Sequence, residues 1–328
     1  MKTRRLGKTG RQVSEIGFGA WAIGASWGHV EESDALAALN QALDSGVTFI
    51  DTADVYGDGR SEQLIARVLR ERGGERPFVA TKAGRRLEKQ TVAGYSRSNL
   101  AAWIERSLRH LQVDALDLVQ LHCPPTDLYY HAEVFGFLDD LKREGKIRDY
   151  GVSVERVEEA LKAIEFPGVV SIQIIYNIFR QRPSALLFEQ ARRNDVAIIA
   201  RVPLASGLLS GKFKANTMFE DTDHRKFNRN GEAFDVGETF SGVPYETGLA
   251  AVERIRPLVG HDTTMARFAL RWILMSQGVS VAIPGARNAE QARSNAEAAA
   301  LPALPDTVMA ELAAIYDQDI RPHVHHRW

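Results

Sequence analysis

Eight short apolar runs recur along the chain, and apolar residues with helical spacing follow each of them. The runs are nearly all apolar inside, which is typical of strands that are covered on both faces. Strands that alternate with helices indicate a mainly parallel sheet with helices packed against it. The predicted strands span residues 16–20, 47–50, 78–81, 116–121, 149–152, 170–175, 196–200 and 279–283.

The helical segments between these runs complete eight strand–helix units. Leu36, Leu39 and Leu43 share one face of the first helix, which Gly46 ends. Barrels reach 328 residues as one domain, so the pattern predicts a single (β/α)8 TIM barrel over residues 1–328. An N-terminal β-hairpin is predicted from residues 3–6 and 11–14 around a Gly-Lys-Thr-Gly turn. The other predicted helices follow residues 60–70, 100–111, 135–141, 155–164, 183–193, 263–275 and 289–299.

One connection is far longer than the usual barrel loop. Residues 213–262, after strand 7, contain Gly, Asp and Asn and interrupt the strand–helix rhythm. A long loop in this place is typically a functional lid over the site. A decorative insertion or a disordered segment is the alternative interpretation.

Charge and cysteine content limit the partners that the chain can have. With 41 basic and 42 acidic residues, it has no global field that would attract nucleic acid or an anionic membrane. Cys123 is the single cysteine, so no intrachain disulfide can form, which suits a reducing compartment. No signal-type apolar region follows the basic start, and we expect a cytoplasmic protein. The three histidines of HVHHRW are expected to be solvated, without a metal.

Polar side chains follow three successive predicted strands. Asp51 and Tyr56 come after strand two, Lys82 after strand three and His122 after strand four. The carboxyl ends of barrel strands meet at one mouth, where active sites lie. Each residue alone has a structural explanation, such as a turn-forming Asp or a His that satisfies a backbone carbonyl. Together they predict one site, because a Lys that follows a buried strand needs a carboxylate partner.

The combination suits proton transfer to an alkoxide. A phenol is a weak acid near neutral pH, and an ammonium group beside it favours the phenolate. Lys82 is therefore expected to lower the pKa of Tyr56, while Asp51 holds Lys82 in place. His122 is expected to donate a hydrogen bond to the substrate oxygen and to orient it.

The chain resembles the aldo-keto reductase superfamily. The resemblance rests on FIDTADVYG, ATKAG and QLHCP in this order, and it extends from GFGAWAIG through PLASGLLSGK to IPGARNAEQARSNAEA. It implies a catalytic tetrad of Asp51, Tyr56, Lys82 and His122 and a nicotinamide cofactor across the barrel mouth.

The resemblance also implies how this cofactor is held. Ser153 and Gln173 would bind the nicotinamide amide, and the loop after strand seven would bind the pyrophosphate. Arg287 would contact the adenosine 2′-phosphate, which favours NADPH. The spacing places Arg287, Gln291 and Asn295 on one face of a helix. The full set of predicted cofactor contacts is Trp21, Asp51, Ser153, Gln173, Arg201, Pro203, Leu204, Ser206, Gly207, Lys212, Gly285, Arg287, Gln291 and Asn295.

The sequence departs from the family pattern before the strand-seven loop. Many relatives have an aromatic residue there to stack on the nicotinamide, whereas this chain has Arg201. A guanidinium would repel a cationic oxidised nicotinamide, so Arg201 is expected to favour NADPH over NADP+.

The predicted function is reduction of an aldehyde or ketone to an alcohol by hydride transfer from NADPH. The predicted substrate pocket contains Trp21, Trp27, Tyr56 and His122, and the partner is a small carbonyl compound. A cofactor-binding regulatory subunit with little turnover, such as a potassium-channel β subunit, is the first alternative. A glycosidase that pairs Asp51 with Asp54 or Glu62 is the second.

Overall fold

The computed structural model describes residues 1–24 and 28–328. In it, eight strands form the barrel. These eight strands pair in parallel and in chain order, and bridges of Ile16 to Ala282 and of Gly19 to Gly285 join the first to the last. The predicted parallel barrel is confirmed, and so is the antiparallel hairpin of β1 and β2 that precedes it. The strands are β1 (Thr3–Arg5), β2 (Gln12–Ser14), β3 (Phe18–Gly19), β4 (Phe49–Asp51), β5 (Phe78–Ala83), β6 (Leu116–His122), β7 (Ile147–Ser153), β8 (Val169–Ile175), β9 (Ala197–Arg201) and β10 (Val281–Ala282).

Eight of the described helices form the outer layer, and the remaining four are additions. The outer layer consists of α1 to α6, α9 and α10, and α1 packs against α10 where the ring closes. No described helix is both long enough and apolar enough to cross a lipid bilayer. The helices are α1 (Glu32–Asp44), α2 (Arg60–Arg72), α3 (Arg97–Leu111), α4 (Ala132–Arg143), α5 (Val157–Ile164), α6 (Leu187–Arg193), α7 (His224–Phe227), α8 (Tyr245–Ile255), α9 (Met265–Met275), α10 (Ala289–Glu297), α11 (Asp306–Ile315) and α12 (Arg321–Val324).

The predicted long connection after β9 is present, and it contains helices that were not predicted. It contains α7 and α8, and α8 buries Ala251, Val252 and Ile255 against the rest of the molecule. Together with the buried Gly248 these residues have the i, i+3, i+4, i+7 spacing of an amphipathic helix. The helix predicted over residues 183–193 also starts later, because Pro183 belongs to a 3-10 turn that precedes α6.

The hairpin closes the N-terminal end of the barrel. Leu6 and Val13 are buried there against inward-facing strand residues such as Phe49 and Leu118. Gly7 has φ +49°, and a Cβ at this position would lie 2.6 Å from the backbone nitrogen of Ala197. Only glycine allows this approach, so the turn is fixed against β9.

Of the three C-terminal histidines predicted to be solvated, His323 and His326 are exposed and His325 is half-buried. His325 Nδ1 lies 2.9 Å from the hydroxyl of Tyr316, and Trp328 is only 4% exposed. Burial of the apolar Trp328 side chain is favourable and anchors the segment against the rest of the protein, although the segment contains three polar histidines.

Candidate active site

The four predicted catalytic side chains come from neighbouring strands at the C-terminal end of the barrel. Asp51 ends β4, Lys82 lies near the end of β5, and His122 ends β6. Tyr56 begins the 3-10 turn that follows β4. Gly24 is packed against this turn, where a Cβ would lie 2.8 Å from the Cβ of Tyr56. The predicted convergence of the four residues on the mouth is therefore present in the structure.

Lys82 is the centre of the hydrogen-bond network. Its ammonium donates to Asp51 Oδ2 at 2.6 Å, to the carbonyl oxygen of Thr52 at 2.9 Å and to Tyr56 Oη at 3.1 Å. Burial by itself lowers the pKa of Lys82, but the contacts with Asp51 and Tyr56 outweigh burial and raise this pKa. Lys82 is thus a buried cation in contact with the phenol oxygen.

The pKa of Tyr56 is raised, and the expectation that Lys82 would lower it below its usual value was wrong. Burial is the largest cause of the increase, and the opposing effect of Lys82 is smaller. The sequence shows the partner of Tyr56 but not how far the fold removes its half-buried side chain from solvent. Tyr56 is therefore a neutral phenol at neutral pH, which is the form that can give up a proton.

His122 lies beside Tyr56 as a neutral imidazole. The two ring centroids are 5.9 Å apart and the rings are nearly perpendicular, at 83°. Burial, followed by the charges of Arg85 and Lys82, holds the pKa of His122 well below its usual value. Within residues 1–24 and 28–328, His122 Nδ1 has no hydrogen-bond partner. A neutral imidazole has one N–H donor, as the predicted contact with a carbonyl oxygen requires.

Two amides complete the surroundings of Asp51. Gln173 Nε2 donates to Asp51 Oδ1 at 2.7 Å, and Gln120 Nε2 approaches the same oxygen at 3.4 Å. Gln173, predicted at the nicotinamide, thus also holds the carboxylate. Gln120 was not predicted, although a glutamine inside an otherwise apolar strand is a signal of a buried polar contact.

Cys123, which follows β6, and Ser153, which ends β7, lie together near the mouth. Ser153 is 1% exposed, and its hydroxyl oxygen lies 3.5 Å from Cys123 Sγ. Burial raises the pKa of Cys123 to about 12, so its thiol is not ionised at neutral pH. Cys123 has φ +48°, a strained backbone position directly after His122.

The predicted pyrophosphate loop has an unusual backbone. Val202, Ala205, Ser206 and Gly207 all have positive φ angles, between 48° and 98°. A β-branched residue such as Val202 rarely adopts this conformation, and such strain is typical of functional loops. The Ser206 hydroxyl donates to the Glu238 carbonyl oxygen at 3.0 Å and accepts from the Phe240 N–H at 3.1 Å. The predicted loop residues are Pro203, Leu204, Ser206, Gly207 and the exposed Lys212.

The loop after β10 differs from the prediction in one detail. Arg287 precedes α10 and Asn288 caps this helix, so Arg287 is not on one helical face with Gln291 and Asn295. Gln291 Oε1 accepts from the Arg287 backbone N–H at 2.9 Å, and Asn295 Nδ2 donates to the Gly285 carbonyl oxygen at 3.0 Å. The cap satisfies N–H groups at the start of α10, and a helix could not extend back to Arg287 through it.

Arg201 belongs to a buried ion-pair network that was not predicted from the sequence. Its Nη2 donates to Glu155 at 2.8 Å, and its Nη1 lies 3.6 Å from Glu238. Arg85 contacts the same two carboxylates, at 2.5 Å from Glu238 and 3.4 Å from Glu155. Carboxylates of the protein therefore hold the Arg201 guanidinium, and its effect on an oxidised nicotinamide stays a prediction.

Aromatic rings wall the mouth beside Tyr56. The Trp21 ring lies 6.1 Å from the Tyr56 ring at 21°, 4.7 Å from His224 and 6.1 Å from Phe234. His224 and Phe234 come from the long segment after β9, which therefore covers one side of the site. Trp27, the other predicted pocket tryptophan, lies outside the described residues.

The carboxylates considered for a glycosidase do not face the mouth. Asp54 and Glu62 are both fully buried, and Asp51 is paired with Lys82. A carboxylate pair that flanks a sugar bond needs two accessible oxygens on opposite sides of the substrate. The glycosidase alternative therefore has no suitable geometry here.

Comparison with known proteins agrees with this arrangement. The model of the Aldo/keto reductase family matches residues 15–317. The chain is 30% identical over 302 residues to the aldo-keto reductase YhdN of Bacillus subtilis (strain 168), a match that covers 90% of this chain and 88% of YhdN. It is 28% identical to the aldo-keto reductase yakc [NADP(+)] of Schizosaccharomyces pombe, over 89% of this chain and 85% of yakc.

A solved structure matches the fold over nearly its whole length. It is the glycerol dehydrogenase AKR11B4 from Gluconobacter oxydans, with a TM-score of 0.76 and 28% identity. The match covers 97% of this chain and 96% of that chain. The chain therefore belongs to the aldo/keto reductase family.

Proposed function

We propose that the chain is an NADPH-dependent oxidoreductase that reduces an aldehyde or ketone to an alcohol, with Tyr56 as the general acid. The contact of 3.1 Å between Lys82 Nζ and Tyr56 Oη is the observation that carries this proposal. A buried ammonium in contact with a phenol has no evident packing purpose, whereas it suits a phenol that loses its proton during the reaction.

Each side chain at the mouth has a separate role in proton transfer. His122 donates a hydrogen bond to the carbonyl oxygen and fixes its direction. As negative charge develops on this oxygen, the O–H bond of Tyr56 breaks and its proton forms the alcohol. Lys82 stabilises the tyrosinate that remains, and Asp51 holds Lys82 in position. An alkoxide is a much stronger base than a phenolate, so a phenol with a raised pKa still protonates it.

NADPH would supply the hydride when bound. The chain offers a fitting cradle, because a Cβ at the exposed Gly285 would lie no closer than 3.6 Å to the protein. Packing within the protein therefore does not require a glycine at position 285. Close approach of a ligand to the backbone would require one. The positive-φ loop after β9 offers backbone donors to the pyrophosphate. We assign Ser153 and Gln173 to the nicotinamide side and Arg287, Gln291 and Asn295 to the adenosine side. The NADP(+) in the name of yakc supports this cofactor.

The Tyr56→Phe variant tests the general acid. It is expected to bind NADPH as the wild type does and to lose carbonyl reduction by about 100-fold or more, because a general acid contributes this much. Cofactor binding is measured by fluorescence and turnover by NADPH oxidation with a panel of aldehydes and ketones. An unimpaired rate would remove Tyr56 as the acid. NADPH binding without turnover in the wild type would instead favour a regulatory subunit.

The Arg287→Ala variant tests the assignment of the 2′-phosphate. Its dissociation constant for NADPH is expected to rise by about 10-fold or more, whereas that for NADH changes little, since hydrogen bonds to charged groups contribute about 1.5–3 kcal/mol. Arg293→Ala is the matched control, because Arg293 is an exposed arginine on α10. Equal weakening of both cofactors would argue against the 2′-phosphate contact.

A further inference from the structure

We propose that Arg85 is a specificity-determining residue that binds an anionic group, a carboxylate or a phosphate, on the carbonyl substrate. This inference rests on the proposed function, because it concerns the substrate of the same site. The three observations that carry it are the position of Arg85 at the mouth, the partial exposure of its side chain, and the charges around it.

The backbone after β5 delivers Arg85 to the side of the mouth that holds His122. Gly84 has φ +121°, and a Cβ there would lie 2.7 Å from the Tyr95 ring. The chain can therefore turn in this way only at a glycine, and the turn places the Arg85 guanidinium 5.8 Å from the Phe234 ring centroid. Apart from burial, Arg85 is the largest cause of the lowered pKa of His122. Arg85 thus lies beside the aromatic wall of the mouth, and its charge acts on the imidazole of His122.

Arg85 is the most accessible member of a cluster of buried charges. Its side chain is 21% exposed, compared with 9% for Arg201, 13% for Glu155 and 5% for Glu238. The ion pairs of Arg85 are both made by Nη2. Among the described residues, its other guanidinium nitrogens have no hydrogen-bond partner, so they remain as donors for a ligand.

The cluster has an excess of positive charge. Arg180 adds a third guanidinium, whose nitrogens have no hydrogen-bond partner in the part of the chain that the structure describes. It stacks on Trp328 at 3.9 Å, and Asp235 lies near it. Burial raises the pKa of Glu155, and the neighbouring Glu238 raises it further, so the negative charge of Glu155 is weakened. Three guanidinium groups then face the carboxylates of Glu238 and Asp235 and the weakened charge of Glu155, so an anion is favoured beside Arg85.

Lys82 does not compete for this anion, because Asp51 neutralises it. The substrate expected from the site is therefore a short aldehyde or ketone with one acidic group. Its carbonyl oxygen lies between Tyr56 and His122, and its carboxylate or phosphate contacts Arg85. A neutral carbonyl compound of the same length lacks this second contact and binds more weakly.

Two matched substrate pairs test the inference in the wild type. The first pair is succinic semialdehyde and butanal, and the second is glyceraldehyde 3-phosphate and glyceraldehyde. For at least one pair, kcat/KM of the acidic compound is expected to exceed that of the neutral one by about 10-fold or more, the effect of one charged hydrogen bond. The first pair reports on a carboxylate and the second on a phosphate.

Variants assign this preference to Arg85. Arg85→Gln is expected to remove the preference, mainly through KM, while butanal and glyceraldehyde are reduced nearly as before. Arg85→Lys should restore part of it, because the charge is kept. Arg86→Gln is the control, since Arg86 pairs with the exposed Asp58 and should leave the preference unchanged. Circular dichroism and NADPH dissociation constants show whether each variant is folded and loaded.

Several results would overturn the inference. Reduction of neutral and acidic compounds with equal kcat/KM in the wild type would do so while leaving the proposed function intact. An equal loss for both members of each pair in Arg85→Gln would show a structural role instead. Weaker NADPH binding with an unchanged preference would assign Arg85 to the cofactor. No turnover of any carbonyl compound would contradict the proposed function itself.

Discussion

Asp54 differs from the other buried charges near the mouth. Asp51 and Lys82 neutralise each other, whereas neither carboxylate oxygen of Asp54 has a hydrogen-bond partner among the described residues. Asp54 is fully buried, and burial raises its pKa from 3.8 to about 7, with a further contribution from Glu62. Ionising an unpaired carboxylate in this place is unfavourable. Asp54 is therefore a source of pH-dependent stability.

The direction of this effect follows from proton binding. Between its usual pKa of 3.8 and about 7, Asp54 holds a proton in the folded protein but not in the unfolded chain. Folding is therefore favoured at low pH in this window, and stability falls as the pH rises through the folded-state pKa. From about pH 5.5 to about pH 8 this single group is expected to reduce the free energy of unfolding by about 2 kcal/mol.

The Asp54→Asn variant removes this titration. The variant should lose about 2 kcal/mol less stability than the wild type over the same pH interval. Denaturant unfolding at both pH values measures the difference, and Asp58→Asn is a control because Asp58 is exposed. Parallel losses of stability in wild type and Asp54→Asn would contradict an elevated pKa at Asp54.

The residues at the strand ends could be predicted from the sequence, but their long-range partners could not. The apolar runs locate the ends of the strands, and these ends bring Asp51, Lys82 and His122 together. Arg85 and Glu238, by contrast, are 153 positions apart and meet only through the fold of two loops. No local pattern connects such residues, so the ion pairs of Arg85 and Arg201 were not predicted.

At the scale of elements, Trp328 holds the segment that carries Glu238. Trp328 Nε1 donates to Asp235 Oδ1 at 2.9 Å, and Arg180 stacks on the indole. A Cβ at Gly237 would lie 2.9 Å from the indole, and one at Gly242 would lie 2.4 Å from it. Residues 235–242 are thus wrapped around Trp328. The C-terminal segment therefore positions one wall of the candidate site.

The Trp328→Ala variant should loosen this wall. Removal of a buried tryptophan costs about 3–5 kcal/mol, because it takes away apolar contacts and leaves a cavity. Amide hydrogen exchange, measured by mass spectrometry, should become faster in residues 234–242, while the hairpin of β1 and β2 keeps its rate. Trp328→Phe is the matched variant, since it retains an aromatic ring and loses only the Nε1–H donor. Unchanged exchange in residues 234–242 would show that Trp328 does not hold them.

The elements that the sequence missed have weak or unusual signals. The buried face of α8 contains Gly248 and Ala251 besides Val252 and Ile255, so its apolar periodicity is low. The barrel closes through single bridges such as that of Ile16 to Ala282. The strands β3 and β10 at this closure are therefore shorter than the apolar runs that predict them. Helical or strand content in these places depends on tertiary contacts, which a local pattern does not contain.

At the scale of the whole molecule, an apolar cluster that stabilises the fold and the candidate site lie at opposite ends of the barrel. The apolar cluster around Leu6 and Val13 fills the N-terminal end, and the candidate site lies at the C-terminal end. Barrels of this type commonly show this division, because the strand ends at the two faces do not share contacts. A change in the lower cluster should therefore act on the free energy of unfolding and leave proton transfer unaffected.

The Leu6→Ala variant tests this separation. Leu6 is fully buried, and its truncation should lower the free energy of unfolding by about 2–5 kcal/mol. The dissociation constant for NADPH and kcat should stay within about twofold of the wild type, since additivity holds for distant sites. Leu186→Ala is the control, because Leu186 is 46% exposed and its loss should change stability by less than about 0.5 kcal/mol. A fall in kcat of the folded Leu6→Ala protein, with no loss in Leu186→Ala, would mean that the hairpin and the mouth are coupled through the barrel interior.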